Sequence, residues 1–252
     1  MRGSALVTGA GKRIGRVIAL ELARAGFDIV AHHGRSRDEA QSLVDEVKAY
    51  GQRAVSLGAD LTDDGDVETL VPRAVEALGP LSLLVNNASV FHDDRIDTLT
   101  AESWDAHLKT NLETPVRLAQ AFAAQVSEKG ARDGALIVNI LDQRVWKPTP
   151  QFFSYSISKA GLWFATRTLA QALAPRVRVN GVGPGPTLPS IHQGAEDFAA
   201  EARNTPLARH ATPQEIAHAV LYLVDAPSVT GQMIAVDGGQ HLGWRTPDVV
   251  EP

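Results

Sequence analysis

Tyr155 and Lys159 stand four positions apart in Ser154-Tyr155-Ser156-Ile157-Ser158-Lys159. On a helix that spacing puts both side chains on one face, about 6 Å apart along the axis. An ammonium beside a phenol favours the phenolate, so the pair predicts a tyrosine pKa drawn from about 10 toward neutrality. A phenol tuned in this way is a usable general acid at physiological pH. Far upstream, Thr8-Gly9-Ala10-Gly11-Lys12-Arg13-Ile14-Gly15 reads as a glycine-rich turn from a strand into a helix. Small residues there let the backbone approach a pyrophosphate, whose charge the helix N-terminus stabilises. The turn is not a strict G-x-G-x-x-G, since Arg13 stands where a middle glycine is common. Turn and pair together point to hydride transfer from a nicotinamide with protonation by tyrosine.

The second strand refines the cofactor. An acidic residue closing it would bind a ribose 2′-hydroxyl and repel a 2′-phosphate. Here it closes in His32-His33-Gly34-Arg35-Ser36, with no carboxylate before Asp38. Arg35 and Ser36, with Lys12 and Arg13 on the facing turn, are donors suited to a phosphate dianion. NADPH/NADP is therefore expected over NADH. Asp60, followed by Leu61, reads either as an acceptor for the adenine amino group or as a helix cap.

These residues need a scaffold, and the chain's pattern supplies one. Apolar, strand-like runs at 5–7, 28–32, 53–57, 81–86, 135–141, 176–182 and 233–236 alternate with helix-like stretches at 13–25, 38–50, 64–78, 101–129, 155–173 and 213–224. The strands are apolar almost continuously, as in a parallel sheet covered on both faces. The expected architecture is α/β: a single Rossmann-type, doubly wound domain over 1–252, with a seven-stranded parallel sheet and helices on both faces. In such sheets the ligand crevice lies at the carboxyl ends of the strands, which is where Gly9, Asp60, Asn86, Asp142 and Pro184 fall. The segment 185–206, polar and rich in Gly, Pro and Ala, reads as a substrate lid.

Composition narrows the class. A net charge of -5 disfavours nucleic acid. The absence of cysteine excludes disulfides, thiolate catalysis and cysteine metal sites. The eight histidines show no ligand spacing, and no metal is expected. The first strand is expected almost at once, without a secretory leader, and no apolar run approaches the roughly 20 residues of a membrane span. A cytoplasmic protein without membrane association is expected.

The ordered set Thr8-Gly9…Gly15, Asp60, Asn86-Asn87-Ala88-Ser89, Asn111, Tyr155…Lys159 and Val179-Asn180-Gly181-Val182-Gly183-Pro184-Gly185 resembles the short-chain dehydrogenase/reductase family over almost the whole chain. The resemblance implies Tyr155 as proton donor and Lys159 on the nicotinamide ribose, lowering the tyrosine pKa. It also implies Asn111 positioning a proton-relay water, and Pro184, Gly185 and Thr187 against the nicotinamide amide. Ile14, His33, Asn87, Ala88 and Ser89 complete the implied cofactor set. A homotetramer is implied too, packed through the 101–129 and 155–173 helices and the last strand, with 241–245 reaching a neighbour or covering its own core.

One position departs from that family. The serine usually found some 13 residues before the tyrosine is Asp142. A carboxylate there would repel the alkoxide developing at a ketone, and suits a substrate offering N–H groups. The departure resembles the pteridine reductase branch, as do Thr-Gly-x-x-x-Arg-Ile-Gly, His33-Gly34-Arg35-Ser36 and Asn87-Ala88-Ser89-Val90-Phe91. In that branch the aromatic matching Phe91 stacks on the pterin, and Arg13 would serve both cofactor phosphate and substrate. Phe91 reads equally as a loop anchor, and Asp142 also as a cap bonding to backbone amides in 143–146. Trp146 and Phe152 would line the same pocket; Arg144 or Lys147 would meet an anionic tail or lie in solvent. The expected substrate is thus a pterin or related heterocycle, with ketone reduction, such as of a 3-oxoacyl thioester, as the alternative. A non-catalytic dinucleotide sensor is the remote third reading.

Overall fold

The computed structural model describes residues 2–126, 134–189 and 194–244. Seven strands form one parallel sheet: β1 Ser4–Val7, β2 Asp28–His33, β3 Ala54–Gly58, β4 Leu81–Asn86, β5 Leu136–Ile140, β6 Arg178–Pro184 and β7 Met233–Val236. Their spatial order is β3-β2-β1-β4-β5-β6-β7. Alternate residues of each strand feed opposite faces, so both faces need apolar side chains. Ala5, Val7, Ile29 and Val85 pack against α1 (Arg13–Arg24), α2 (Arg37–Ala49) and α8 (Pro213–Val224) through Ile18, Leu43 and Val220. Leu6, Val30 and Leu84 pack against α3 (Asp64–Leu78), α5 (Thr114–Gln125) and α6 (Phe153–Leu173) through Leu70, Phe122 and Ala170. This two-sided burial is why the strand sequences do not alternate.

The strand order reverses between β1 and β4, which opens the crevice where the turn after β1 faces the loop after β4. Two elements depart from the sequence expectation. The helix expected over 101–129 is α4 (Ala101–Leu108), a π-helical turn (Lys109–Glu113) and then α5, ending at Gln125; 127–129 lie outside the described residues. Pro115 accounts for the break. It has no N–H, so the Asn111 carbonyl loses the donor an α-helix would give it, and the backbone widens there. Within 185–206 the chain forms another helix, α7 (Ala195–Arg203), which buries Phe198 and Ala202. Residues 190–193 and 245, which belong to the expected lid and tail, lie outside the described residues. Among the described residues no helix is long and apolar enough to cross a membrane.

Candidate active site

The glycine turn is held from behind. Gly9 adopts φ 63, a left-handed conformation that favours glycine. A Cβ on Gly15 would stand 2.3 Å from the Gly9 carbonyl oxygen, so only a bare backbone fits. Thr8 Oγ1 accepts from the N–H groups of Asn87 and Ala88 at 2.9 and 3.0 Å, and Asn87 Nδ2 donates to the Thr8 carbonyl at 2.8 Å. The loops after β1 and β4 are thereby stapled across the crevice. His32 adds a brace that the sequence reading missed. Its Nδ1 accepts from the Gly9 N–H at 3.1 Å, and its Nε2 lies 3.1 Å from the Ala59 carbonyl. The first contact needs an unprotonated Nδ1, so the neutral ring donates through Nε2. Burial lowers its pKa to about 4.

The structure brings most of the expected 2′-phosphate residues together. A Cβ on Gly11 would lie 3.2 Å from Ser36 Oγ, so the turn and the end of β2 touch. Arg35 is exposed beside them. Lys12 pairs with Glu39 at 2.7 Å, both exposed, on the rim of a cleft of about 470 Å³ that Gly11 and Arg13 also line. Arg13 reaches across, its Nη2 donating to the Leu188 carbonyl at 3.3 Å. His33 points elsewhere: its ring packs against Gly58 and its Nδ1 faces the Gly34 carbonyl at 3.0 Å. Ile14 packs on the first core and Leu61 in the second. Asp60 accepts from the Thr62 N–H and hydroxyl at 2.9 and 2.7 Å, and these bonds hold its carboxyl below the usual range. It is not the cap of α3. Asp63 is, accepting from the Asp66 N–H, because the helix starts one turn later than a cap at Asp60 requires.

At the far end, Thr187 Oγ1 donates to the Gly185 carbonyl at 3.0 Å, and a Cβ on Gly185 would press on Asp237 at 2.6 Å. Pro184 ends β6 on that side of the crevice.

Around the tyrosine the sequence expectation is corrected. Tyr155 is 6% and Lys159 2% exposed. The Lys159 ammonium donates to the Ile140 carbonyl at 2.8 Å and stands 5.7 Å from the Tyr155 ring centroid. The phenol instead donates to Asp142 Oδ2 at 2.9 Å. Burial, and then the Asp142 charge, push the phenol well above its ordinary pKa, against the expected fall. Burial lowers Lys159 to about 8. Asp142 also accepts from the Arg144 N–H at 2.8 Å, so it caps the 3-10 turn Gln143–Val145 while receiving the phenol.

Asn111 spends its side chain on the protein. Its Oδ1 accepts from the Val90 N–H and the Ser89 hydroxyl, and its Nδ2 donates to the Val90 carbonyl and Ser158 Oγ, all within 3.1 Å. A relay through that amide has no free atom. Phe91, just beyond, stacks on Phe152 at 4.3 Å between centroids and meets Tyr155 edge-on at 4.7 Å.

A second unanticipated feature ties this loop down. Asp94, buried, accepts from the Ser154 N–H at 3.0 Å, the Ser103 hydroxyl at 2.6 Å and the Ser154 hydroxyl. Burial pushes the Asp94 carboxyl up, but the Ser103 and Ser154 hydrogen bonds outweigh it and hold the pKa low. His107 Nε2 accepts from the His92 N–H, so its Nδ1 carries the proton toward Ser154 Oγ at 2.7 Å. With Ser154 donating to a carboxylate and accepting from His107, this Ser/His/Asp set is a brace, not a nucleophile.

Comparison with known proteins agrees with this fold. A family model described as enoyl-(acyl carrier protein) reductase matches residues 9–241. The 3-oxoacyl-[acyl-carrier-protein] reductase FabG of Staphylococcus aureus is 33% identical over 96% of this chain and 99% of its own. The crystal structure of FolM alternative dihydrofolate reductase 1 from Brucella canis, complexed with NADP, superposes with a TM-score of 0.93. It is 48% identical, covering 98% of this chain and 97% of that one. A short-chain dehydrogenase from Burkholderia cenocepacia in complex with NADP gives 0.87 at 33% identity, covering 95% and 98%.

Proposed function

The chain belongs to the short-chain dehydrogenase/reductase family, and from that membership we propose that it is an NADPH-dependent reductase of a pterin or related nitrogen heterocycle. The observation that carries the substrate class is the 2.9 Å hydrogen bond from the Tyr155 hydroxyl to Asp142, where the family usually places a serine. The bound nicotinamide supplies the hydride. The backbone of Gly9 and Gly15 would hold its pyrophosphate, and Arg35, Ser36, Lys12 and Arg13 would hold the 2′-phosphate. Asp60 and Leu61 would take the adenine, and Asn87, Ala88, Ser89 and Lys159 the ribose. Pro184, Gly185 and Thr187 would receive the nicotinamide. Tyr155 is the proton donor in this reading, with burial and Asp142 holding the proton on the phenol. The Lys159 ammonium, 5.7 Å from the ring centroid, is the charge that favours the phenolate when a ring nitrogen takes that proton. Asp142 then accepts from N–H groups of the ring, which Phe91 stacks, with Arg13 at its edge.

The FolM structures support this reading, and the FabG relatives favour a second one, reduction of a 3-oxoacyl thioester. Against the second stands charge: a ketone oxygen becoming an alkoxide beside Asp142 is repelled. NADPH oxidation with dihydrobiopterin, dihydrofolate, a 3-oxoacyl thioester and small ketones separates the two. Turnover of the pteridines and little of the ketones is the expected result; turnover of ketones alone returns the chain to carbonyl reduction.

A cytoplasmic homotetramer belongs to the same reading. Phe164 and Ile157 stand exposed on α6, and an apolar groove between α5 and α6 is lined by Val116, Ala123 and Leu169. Both features fit packing through those helices. The 185–206 segment, which Arg13 touches at Leu188, serves as substrate cover.

A further inference from the structure

Arg144 follows Asp142 by two residues, and its side chain folds back over that carboxylate. Its N–H donates to Asp142 Oδ1 at 2.8 Å, and its Nη1 stands 3.3 Å from Oδ2, the oxygen that also receives the Tyr155 hydroxyl. Its guanidinium carbon lies 5.2 Å from the centre of the Phe152 ring, which in turn covers Phe91. Stacking on that ring fixes the plane of the guanidinium fork. Phe152 is itself held at φ 52, a left-handed conformation costly for an aromatic residue.

The Nε of Arg144 is buried and has no hydrogen-bond partner among the described residues. Buried donors are nearly always satisfied, and guanidinium donors are among the costliest to leave unspent. The neighbouring Gln143 Oε1 is unspent in the same way. An anionic acceptor and a cationic donor therefore lie side by side above the aromatic stack. That pattern complements a ring edge on which an N–H adjoins a C=O. A simple ketone offers an acceptor alone, and a neutral 2,4-diamino ring would turn an acceptor nitrogen toward the carboxylate and an amino donor toward the guanidinium.

We propose that Arg144 is a specificity-determining residue that reads, together with Asp142, the amide edge of a flat nitrogen heterocycle. Asp142 accepts the ring N–H, and Arg144 turns from Asp142 to donate to the ring C=O. The assignment rests on the heterocycle reading above and names the edge that is recognised.

The test is equilibrium binding of 2-amino-4-oxopteridine and 2,4-diaminopteridine to the NADP-saturated protein. It is followed by tryptophan fluorescence at neutral pH, where both rings are uncharged. In Arg144→Met the oxo-to-diamino affinity ratio should fall at least about tenfold, or about 1.4 kcal/mol. Arg144→Lys, which keeps a donor without the fork, should fall between wild type and Arg144→Met, and NADP affinity should not move in either. A ratio unchanged in Arg144→Met, or equal loss of both rings, overturns the assignment and leaves the heterocycle reading standing. A wild type that binds neither ring overturns both.

Discussion

Asp142 carries two contacts at once: it caps the turn after β5 and it receives the Tyr155 phenol. Burial, and then the Asp142 carboxylate at 2.9 Å, raise the Tyr155 pKa, the reverse of what the Lys159 ammonium 5.7 Å from the ring centroid would do alone. The Tyr-x-x-x-Lys spacing was legible, since it is a property of one helix. The sign of the tyrosine shift was not, since Asp142 meets Tyr155 only after β5 and α6 dock. Tyr155→Phe should lower kcat at least about tenfold while leaving NADPH affinity nearly unchanged, because the hydroxyl acts in the transition state. Stopped-flow turnover beside a binding titration checks the split. At the other end, β2 runs into Arg35 and Ser36 with no carboxylate before Asp38. NADPH should be preferred over NADH by at least about tenfold, about 1.4 kcal/mol, and Arg35→Asp should invert the preference. The ratio of kcat/KM for the two cofactors reads this directly.

Elements bring these side chains to their distances. The π-helical turn at Lys109–Glu113 brings Asn111 under the Ser89–Val90 backbone, and Asp94 ties the next stretch of that loop to the N-terminus of α6. Asp94 accepts from first-turn N–H groups of the helix that carries Tyr155, so it acts as a cap from 60 residues away. A local reading of the sequence could not find such a cap; the helix break was visible only as Pro115 inside an apolar pattern. Because Phe91 lies three residues before Asp94, and Tyr155 one after Ser154, this tie sets the Phe91–Tyr155 contact. Asp94→Asn should therefore raise the substrate KM by roughly tenfold, since small misplacements of a binding ring are costly, with NADPH affinity unchanged. Steady-state kinetics at saturating NADPH measures it.

Over the whole molecule, the parallel order and two-sided burial were legible because βαβ periodicity encodes them in every segment. The His32 brace was not, since it joins β2 to the turn after β1 through a side chain read only as strand. It gives stability a pH dependence. His32 binds a proton near the ordinary 6.5 when unfolded and near 4 when folded. Between those values the unfolded chain holds more protons, so stability is lost as pH falls from 6.5 toward 4. At about pH 5 the loss from this residue is on the order of 2 kcal/mol relative to neutrality. Urea unfolding at both pH values should show it, and His32→Asn should flatten the difference even though buried His107 is shifted the same way.

The replacement of the usual serine by Asp142 is the point on which the functional reading turns, and kcat/KM of wild type and Asp142→Ser with a dihydropteridine and a 3-oxoacyl thioester probes it most directly. The wild type should favour the dihydropteridine, and Asp142→Ser should lose at least about tenfold on it while holding or gaining on the thioester. Unchanged dihydropteridine kinetics in Asp142→Ser, or a wild type active on the thioester and inert toward the pteridine, would contradict a nitrogen-heterocycle reductase.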